Sequence, residues 1–361
     1  SDEDGVVWEN GVGGRVDAIH EGTVYGREDW RKEGKRGVFA LDATDGNGEW
    51  TYGEVGGSST YTPLVVDGGV YFGYGDDAIG SEKGDLYALE TDGGERWVRD
   101  IGSVYDAPIV SDGVVYAGSD RGAAHAFDAE TGDELWSRGF ESPEEYATPA
   151  VGVKMVEDDV AYVTAYGNLY AIEKENGDEV WRYDSDRVSD VEVSDGIVYV
   201  SHSGRVGAYA DGDELWTHEV EATNPSIRGA THGNVYFGQG RDLRALDTTE
   251  GEKVWSKEVG EDYPLVLGGS AVYAGERELY ALSPDGDELW TVEPDNSELD
   301  GLSLAGGYVY AVTDERAHRV DDGEVVASVE VPGKEGTNSH IVGEDGTVYV
   351  GTRGGAYALS L

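Results

Sequence analysis

Side chains able to do chemistry are scattered along this chain rather than gathered into a motif. There is no His-Glu-x-x-His pair for zinc, no phosphate-binding loop and no Gly-x-Ser-x-Gly nucleophile elbow. Cysteine is absent, which excludes thiolate metal sites, disulfides and cysteine nucleophiles and leaves the redox compartment undetermined. The seven histidines stand apart from one another. His20, His202, His218 and His232 fall at strand ends without metal-ligand spacing. His125 and His318 occupy a slot that elsewhere holds Tyr and read as packed sheet residues, whereas His340, just before the first strand of a repeat unit, is kept as a candidate. The Asp-Gly-Asp-Glu segments at 211–214 and 285–288 lack the alternating oxygen ligands and distal Glu of a calcium loop, so they read as acidic hairpin turns. No catalytic residue and no metal ligand is assigned.

One segment has the composition of a binding hot spot. The stretch GREDWRKEGKRG at 26–37 contains Arg27, Arg31, Lys32, Lys35 and Arg36, five of the 26 basic residues, around Trp30. An aromatic flanked by Arg on a loop is the usual anchor of a protein interface, with Trp30, Arg31, Lys32 and Arg36 as its contact residues. The competing use is packing against the insertion at 74–84, whose Asp76, Asp77 and Glu82 carry opposite charge; the two uses are compatible.

What must position these residues is a repeat. A Val-Tyr strand, a Tyr-Ala-Leu-like strand, an acidic Gly turn and a Trp recur along the chain, most cleanly in DGVVYAGSDRGAAHAFDAETGDELW at 112–136. Trp50, Trp97, Trp136, Trp181, Trp216, Trp255 and Trp290 mark seven copies, and Ala327 holds the marker position of an eighth. The ninth, GTVYVGTRGGAYALSL from Gly346, lacks its Trp-bearing strand, while Trp8 in GVVWEN has no strands before it. Successive markers lie 35 to 47 residues apart, the period of a four-stranded propeller blade, and no helical periodicity is visible. Short β-branched or aromatic runs such as 114–117 and 86–89, bounded by Asp-Gly or Gly-Gly, read as strands two and three of a unit; 107–110 and 134–137 read as strands one and four. One such sheet would expose both faces, whereas stacked sheets bury each other and closure removes the need for caps. The predicted fold is all-β, a closed β-propeller of four-stranded blades forming one domain over 1–361. The count gives nine blades, with eight as the alternative, and the N-terminal strand completes the C-terminal blade. Trp8, Trp50, Trp97, Trp136, Trp181, Trp216, Trp255 and Trp290 are assigned a structural role, since a buried indole removes up to about 250 Å² from water, worth a few kcal/mol at about 25 cal/mol/Å².

In such a fold the residues that begin the first strands surround one mouth of a central channel. They are Tyr61, Asp106, Tyr146, Asp190, Arg228, Tyr263, Asp300 and His340, a tyrosine-rich set that the repeat does not require. A small-ligand site and a water-filled channel both fit this composition.

The phrases AHAFDAETGDELW, FALDATDGNGEW, YAIEKENGDEVW and RALDTTEGEKVW resemble the tryptophan-docking repeat of pyrroloquinoline-quinone (PQQ)-like propellers, a family that includes BamB-like assembly proteins and quinoprotein dehydrogenases. The resemblance covers nearly the whole chain and is specific for architecture rather than activity. It implies a non-enzymatic scaffold or binding protein at the cell surface or outside the cytoplasm, acting through propeller loops and channel mouth. The alternatives are a PQQ-dependent dehydrogenase with calcium and an Asp base at Asp106, Asp190 or Asp300, and a sugar- or peptide-binding propeller. The quinoprotein alternative lacks the adjacent-cysteine disulfide over the cofactor, so no cofactor is assigned.

Acidic residues number 74 against 26 basic, a formal net charge of −48 spread through every unit. Such a field disfavours nucleic acid and anionic membranes as partners, and no stretch is apolar enough to span a bilayer. At multimolar salt the Debye length falls to about 3 Å or less, so the pattern resembles proteins of extreme halophiles. The expected partner is a protein or a small extracellular ligand, and the expected state is a monomer. The opening Ser1-Asp2-Glu3-Asp4 is compatible with a mature terminus left by a leader or lipid-anchored stalk; a cytoplasmic location is the alternative.

Overall fold

A computed structural model describes residues 5–28, 36–55, 59–60, 62–75, 84–104, 106–141, 151–185, 187–221, 225–332, 337–343 and 345–361. Its described regular structure is entirely β. Nine antiparallel sheets follow one another along the chain, in residues 15–55, 64–100, 109–139, 151–183, 188–219, 226–258, 265–292, 299–330 and 337–360. Each has four strands, in chain order in the first eight, numbered here as blades one to nine; blade two gains a short extra pairing of Ser59–Thr60 on Gly69–Gly75. The fold is a nine-bladed β-propeller, as the repeat count predicts. Its ninth sheet runs in the order Val6–Asn10, Ala356–Ser360, Thr347–Thr352, Thr337–Val342, and Trp8 pairs with Ala358, so the two chain ends complete one blade.

The chain packs as two compact units, Ser1–Trp30 with Phe39–Glu49 and Arg228–Leu361, and Arg31–Val38 with Trp50–Ile227. Both are built by one device. Within a blade the Trp lies opposite an Ala of strand three, as in Ala126 with Trp136, Ala171 with Trp181 and Ala245 with Trp255. The small Ala leaves room for the indole, which leans on the Tyr of the Val-Tyr strand: Tyr116 and Trp136 have ring centroids 6.1 Å apart, Tyr236 and Trp255 5.9 Å, Tyr349 and Trp8 5.9 Å. The indole N–H then donates to a carbonyl in the turn of the next blade: Trp97 to Ala129 (3.0 Å) and Trp136 to Lys174 (2.9 Å) in one unit, Trp8 to Ala43 (2.8 Å) and Trp255 to Pro284 (2.9 Å) in the other. The glycine of that turn has positive φ and lies flat against the ring. A side chain at Gly132 would come within 2.6 Å of Trp97, and one at Gly46 within 2.5 Å of Trp8, so only Gly serves both the turn and the docking.

In eight of the nine blades a bulge precedes the marker. In blade three Ala126 pairs with Trp136 but Phe127 pairs with Glu134, which leaves Leu135 unpaired; Val7, Val180, Leu215, Val254, Leu289 and Val326 are skipped in the same way. These seven apolar residues are exposed, whereas Arg96 takes the position in blade two and ties down Glu90 and the Tyr71 hydroxyl. A bulge twists the outermost strand and interrupts the straight ladder that would otherwise invite edge-to-edge pairing.

Candidate functional site

The residues proposed for the channel mouth have separate fates. Tyr61 and Tyr146 lie outside the described residues. Tyr263 precedes the strand Leu265–Leu267 and is buried; its hydroxyl donates to the Asp242 carbonyl (3.2 Å), and burial pushes its pKa up to about 12 against the opposing pull of Arg228. The Arg228 guanidinium sits 5.7 Å from the Tyr263 ring, so these two predicted residues do come together, with Arg228 exposed and the tyrosine beneath it. His340 lies within the strand Thr337–Val342 rather than before it, and its Nε2 is 3.0 Å from the Ser303 hydroxyl. Burial lowers its pKa to about 4, so the ring is neutral at neutral pH. Asp106 accepts from Lys154 Nζ at 2.8 Å in the other unit, and the Asp190 amide donates to Ser201 Oγ at 3.0 Å. Asp300 is exposed on Leu299–Ala305. Among the described residues no group of three or more His, Asp or Glu side chains is placed to hold a metal ion.

Of the basic insertion, Trp30, Arg31 and Lys32 lie outside the described residues, as does 76–83; Arg36 begins the strand Arg36–Asp42. The surroundings show how basic side chains are used elsewhere. Arg99 caps the turn of blade three through Gly132 O (2.6 Å), and Arg138 caps that of blade four through Gly177 O (2.8 Å). Lys174 pairs with Asp112, Lys257 with Glu288, and Arg241 with Glu258 and Glu261. Basic residues here are mostly stitches between strands or blades.

A cleft that no sequence motif signals lies between blades four and five. Asn168, Tyr183, Asp184, Ser185, His202 and Arg205 line a polar space of about 650 Å³. Tyr183 Oη and His202 Nε2 are 2.9 Å apart, and the Tyr183 ring meets Tyr209 at 4.6 Å. Burial, helped by Arg205, holds the His202 imidazole below its ordinary pKa. The sequence gives only an isolated His at a strand end, and its phenolic partner comes from a different blade.

A family model described as "Outer membrane protein assembly factor BamB" matches residues 2–103, 69–153 and 120–263. Similar proteins include the outer membrane protein assembly factor BamB of Yersinia pestis, 25% identical over 346 residues, covering 88% of this chain and 80% of that protein. The factor of the same name from Salmonella typhimurium is 27% identical over 345 residues with the same coverage. Among solved structures, BamB from Moraxella catarrhalis superposes with a TM-score of 0.57 at 16% identity, over 84% of this chain and 99% of that one. The computationally designed protein Ika8 gives 0.61 at 14% identity, over 99% of both. A quinohemoprotein alcohol dehydrogenase from Pseudomonas putida HK5 gives 0.54 at 15%, over 82% of this chain and 70% of that one. At these identities the structural likenesses concern fold alone.

Proposed function

We propose that the chain, which belongs to the family described as outer membrane protein assembly factor BamB, is a scaffold working outside the cytoplasm, which holds a protein partner through the loops of its propeller. Relatives named for outer membrane protein assembly support a role of this kind. The proposed contact is the insertion at 26–37, with Trp30 as anchor, Arg31, Lys32 and Arg36 selecting an acidic segment, and no cofactor.

The observation that carries this reading is that Trp30 is surplus to the architecture. Trp8, Trp50, Trp97, Trp136 and Trp255 each donate to a carbonyl of a neighbouring turn. Trp181 and Trp290 lie against Gly212 and Gly323, and Trp216 is buried beside Tyr199. The marker position of blade eight is filled by Ala327, opposite Arg319. Eight indoles therefore account for the repeat, and the ninth stands in the most basic stretch of an acidic chain. In high salt its apolar area and close-range Arg contacts must supply the affinity.

The test is affinity capture from the native host in multimolar salt, comparing wild type with Trp30→Ala and with 26–37 shortened to a plain turn. Loss of the same partner from both variants, at least tenfold for Trp30→Ala, is the expected result. Equal recovery by all three would overturn the assignment and move the search to Tyr61, Tyr146, Arg228 and His340.

A further inference from the structure

Blade eight assembles three side chains that neither the repeat nor the scaffold reading uses. His318, on Arg316–Asp321, and Ser328, on Glu324–Glu330, are direct cross-strand partners. Ser328 Oγ donates to His318 Nδ1 at 3.0 Å, and His318 Nε2 donates to Asp295 Oδ2 at 2.8 Å. Asp295 comes from the connection between Glu288–Val292 and Leu299–Ala305, and it is fixed by the Ser297 amide on Oδ1 (2.8 Å) and the Thr313 hydroxyl on Oδ2 (3.2 Å). The imidazole is 1% exposed while Ser328 faces solvent. A fourth group completes the set: Arg316 Nε donates to Ser328 Oγ at 2.8 Å, with its Nη2 3.4 Å from the Ser328 carbonyl.

We infer that Ser328 is an activated nucleophile, with His318 as its base, Asp295 as the residue that orients the base and Arg316 as the donor that positions the serine oxygen. The roles follow from the hydrogen bonds. With the Nε2 proton held by a carboxylate, the lone pair of Nδ1 points at the serine hydroxyl. The nitrogens are exchanged relative to the usual serine–histidine pair, because a histidine directly opposite a serine across two strands reaches it with the nearer nitrogen; either nitrogen can accept the proton. Burial keeps the His318 pKa below its ordinary value despite Asp295, so the ring is free to accept. Burial works against the Asp295 charge, but the Ser297 amide and His318 outweigh it and hold the carboxylate ionised.

The substrates are small carboxylic esters, neutral or cationic. Arg316 also lines a surface cavity of about 420 Å³ whose other walls are Asp314, Glu315, Glu330 and Val331, and those three carboxylates repel an anionic ester. In the acylation step Ser328 Oγ bonds to the acyl carbon as its proton passes to His318 Nδ1. The bond to the leaving oxygen then breaks and the departing alcohol takes that proton. Water adds to the acyl-serine, giving one proton to Nδ1, and the serine leaves with it. Ester and water become acid and alcohol, with no other reactant.

Blade three contains its own control. His125 and Ser137 are cross-strand partners in the same slots, but among the described residues His125 has no hydrogen-bond partner, and the nearest carboxylate, Glu134, lies 3.5 Å from Nδ1. The experiment treats the full chain in multimolar KCl with a fluorophosphonate probe and maps adducts by mass spectrometry. One adduct at Ser328 and none at Ser137 is expected, with labelling abolished by Ser328→Ala and slowed at least tenfold by His318→Gln and by Asp295→Asn. p-Nitrophenyl acetate should release a stoichiometric burst of nitrophenol that Ser328→Ala removes, and acetylcholine should be cleaved faster than the anionic ester monomethyl succinate. An unlabelled Ser328, equal labelling of Ser137, or a rate indifferent to both His318→Gln and Asp295→Asn would overturn the assignment.

Discussion

Blades three and eight carry the same histidine opposite the same serine, yet the two pairs live in different chemistry. In blade three His125 is packed flat on Phe127, ring centroids 5.8 Å apart, and burial lowers its pKa with only the more distant Glu134 to oppose it. In blade eight His318 is held at both nitrogens. The marker position differs as well: Trp136 docks on the next turn, while Ala327 docks nothing and the Arg319 guanidinium beside it reaches the Leu361 carbonyl at 2.8 Å and stacks over Tyr308. A repeat slot thus specifies where a side chain stands but not what it meets, which is set by the connection arriving from the neighbouring blade.

The largest effect should be common to both blades. A formal charge of −48 must be screened before the sheet faces can hold, so stability should rise steeply from low to multimolar KCl; equal melting temperatures across that range would remove the halophilic reading. Next comes the marker. Trp136→Ala should cost about 3–5 kcal/mol in denaturant unfolding at high salt, against about 1 kcal/mol for Arg319→Ala in blade eight. Third, Asp295→Ala leaves a buried imidazole donor unmet and should cost about 2–3 kcal/mol, whereas Glu134→Ala beside His125 should cost less than about 0.5 kcal/mol.

Substituting the rings themselves sharpens the contrast. His125→Phe removes a buried polar ring whose only described polar contact is the 3.5 Å approach of Glu134 and should be neutral or stabilising by up to about 1 kcal/mol, while His318→Phe strands Asp295 and should destabilise by about 2 kcal/mol. The smallest effect is in pH. Both histidines titrate below their unfolded value because burial disfavours the cation. The unfolded chain therefore takes up its proton first, and stability is full above the ordinary histidine pKa of about 6.5 and is lost as pH falls below it, by at most about 1.4 kcal/mol per pH unit per ring. Wild type should lose more than His125→Phe between about pH 6.5 and 5, and identical slopes would show that His125 takes up its proton equally in the folded and unfolded chain.

Much of the architecture was legible because it is written in local periods. Nine units, the exchange of strands between the chain ends and the structural Trp set follow from spacing alone, since each strand and turn is specified within one repeat. The candidate site was much less legible. Position within the repeat places Arg228 and Tyr263 together, but it does not show that Tyr263 is folded under Arg228, nor that Asp106 is engaged by Lys154, 48 residues away. The Tyr183–His202 cleft and the Asp295–His318–Ser328 relay left no mark as motifs, because each draws on more than one strand or connection.

The sequence by itself favoured nine blades over eight and predicted the closing sheet and a glycine in the turns that precede a Trp. Tertiary structure alone decided that six of these glycines serve a different tryptophan from the one that follows them, among them Gly132 receiving Trp97 and Gly177 receiving Trp136. It also decided which of two equivalent histidines acquires a carboxylate. The physical reason is range. Strand and turn propensities act over a few residues, whereas the partner of an indole or a buried imidazole is whatever the packed neighbour brings within 3 Å, here from 23 residues away for His318 and 38 for Trp136.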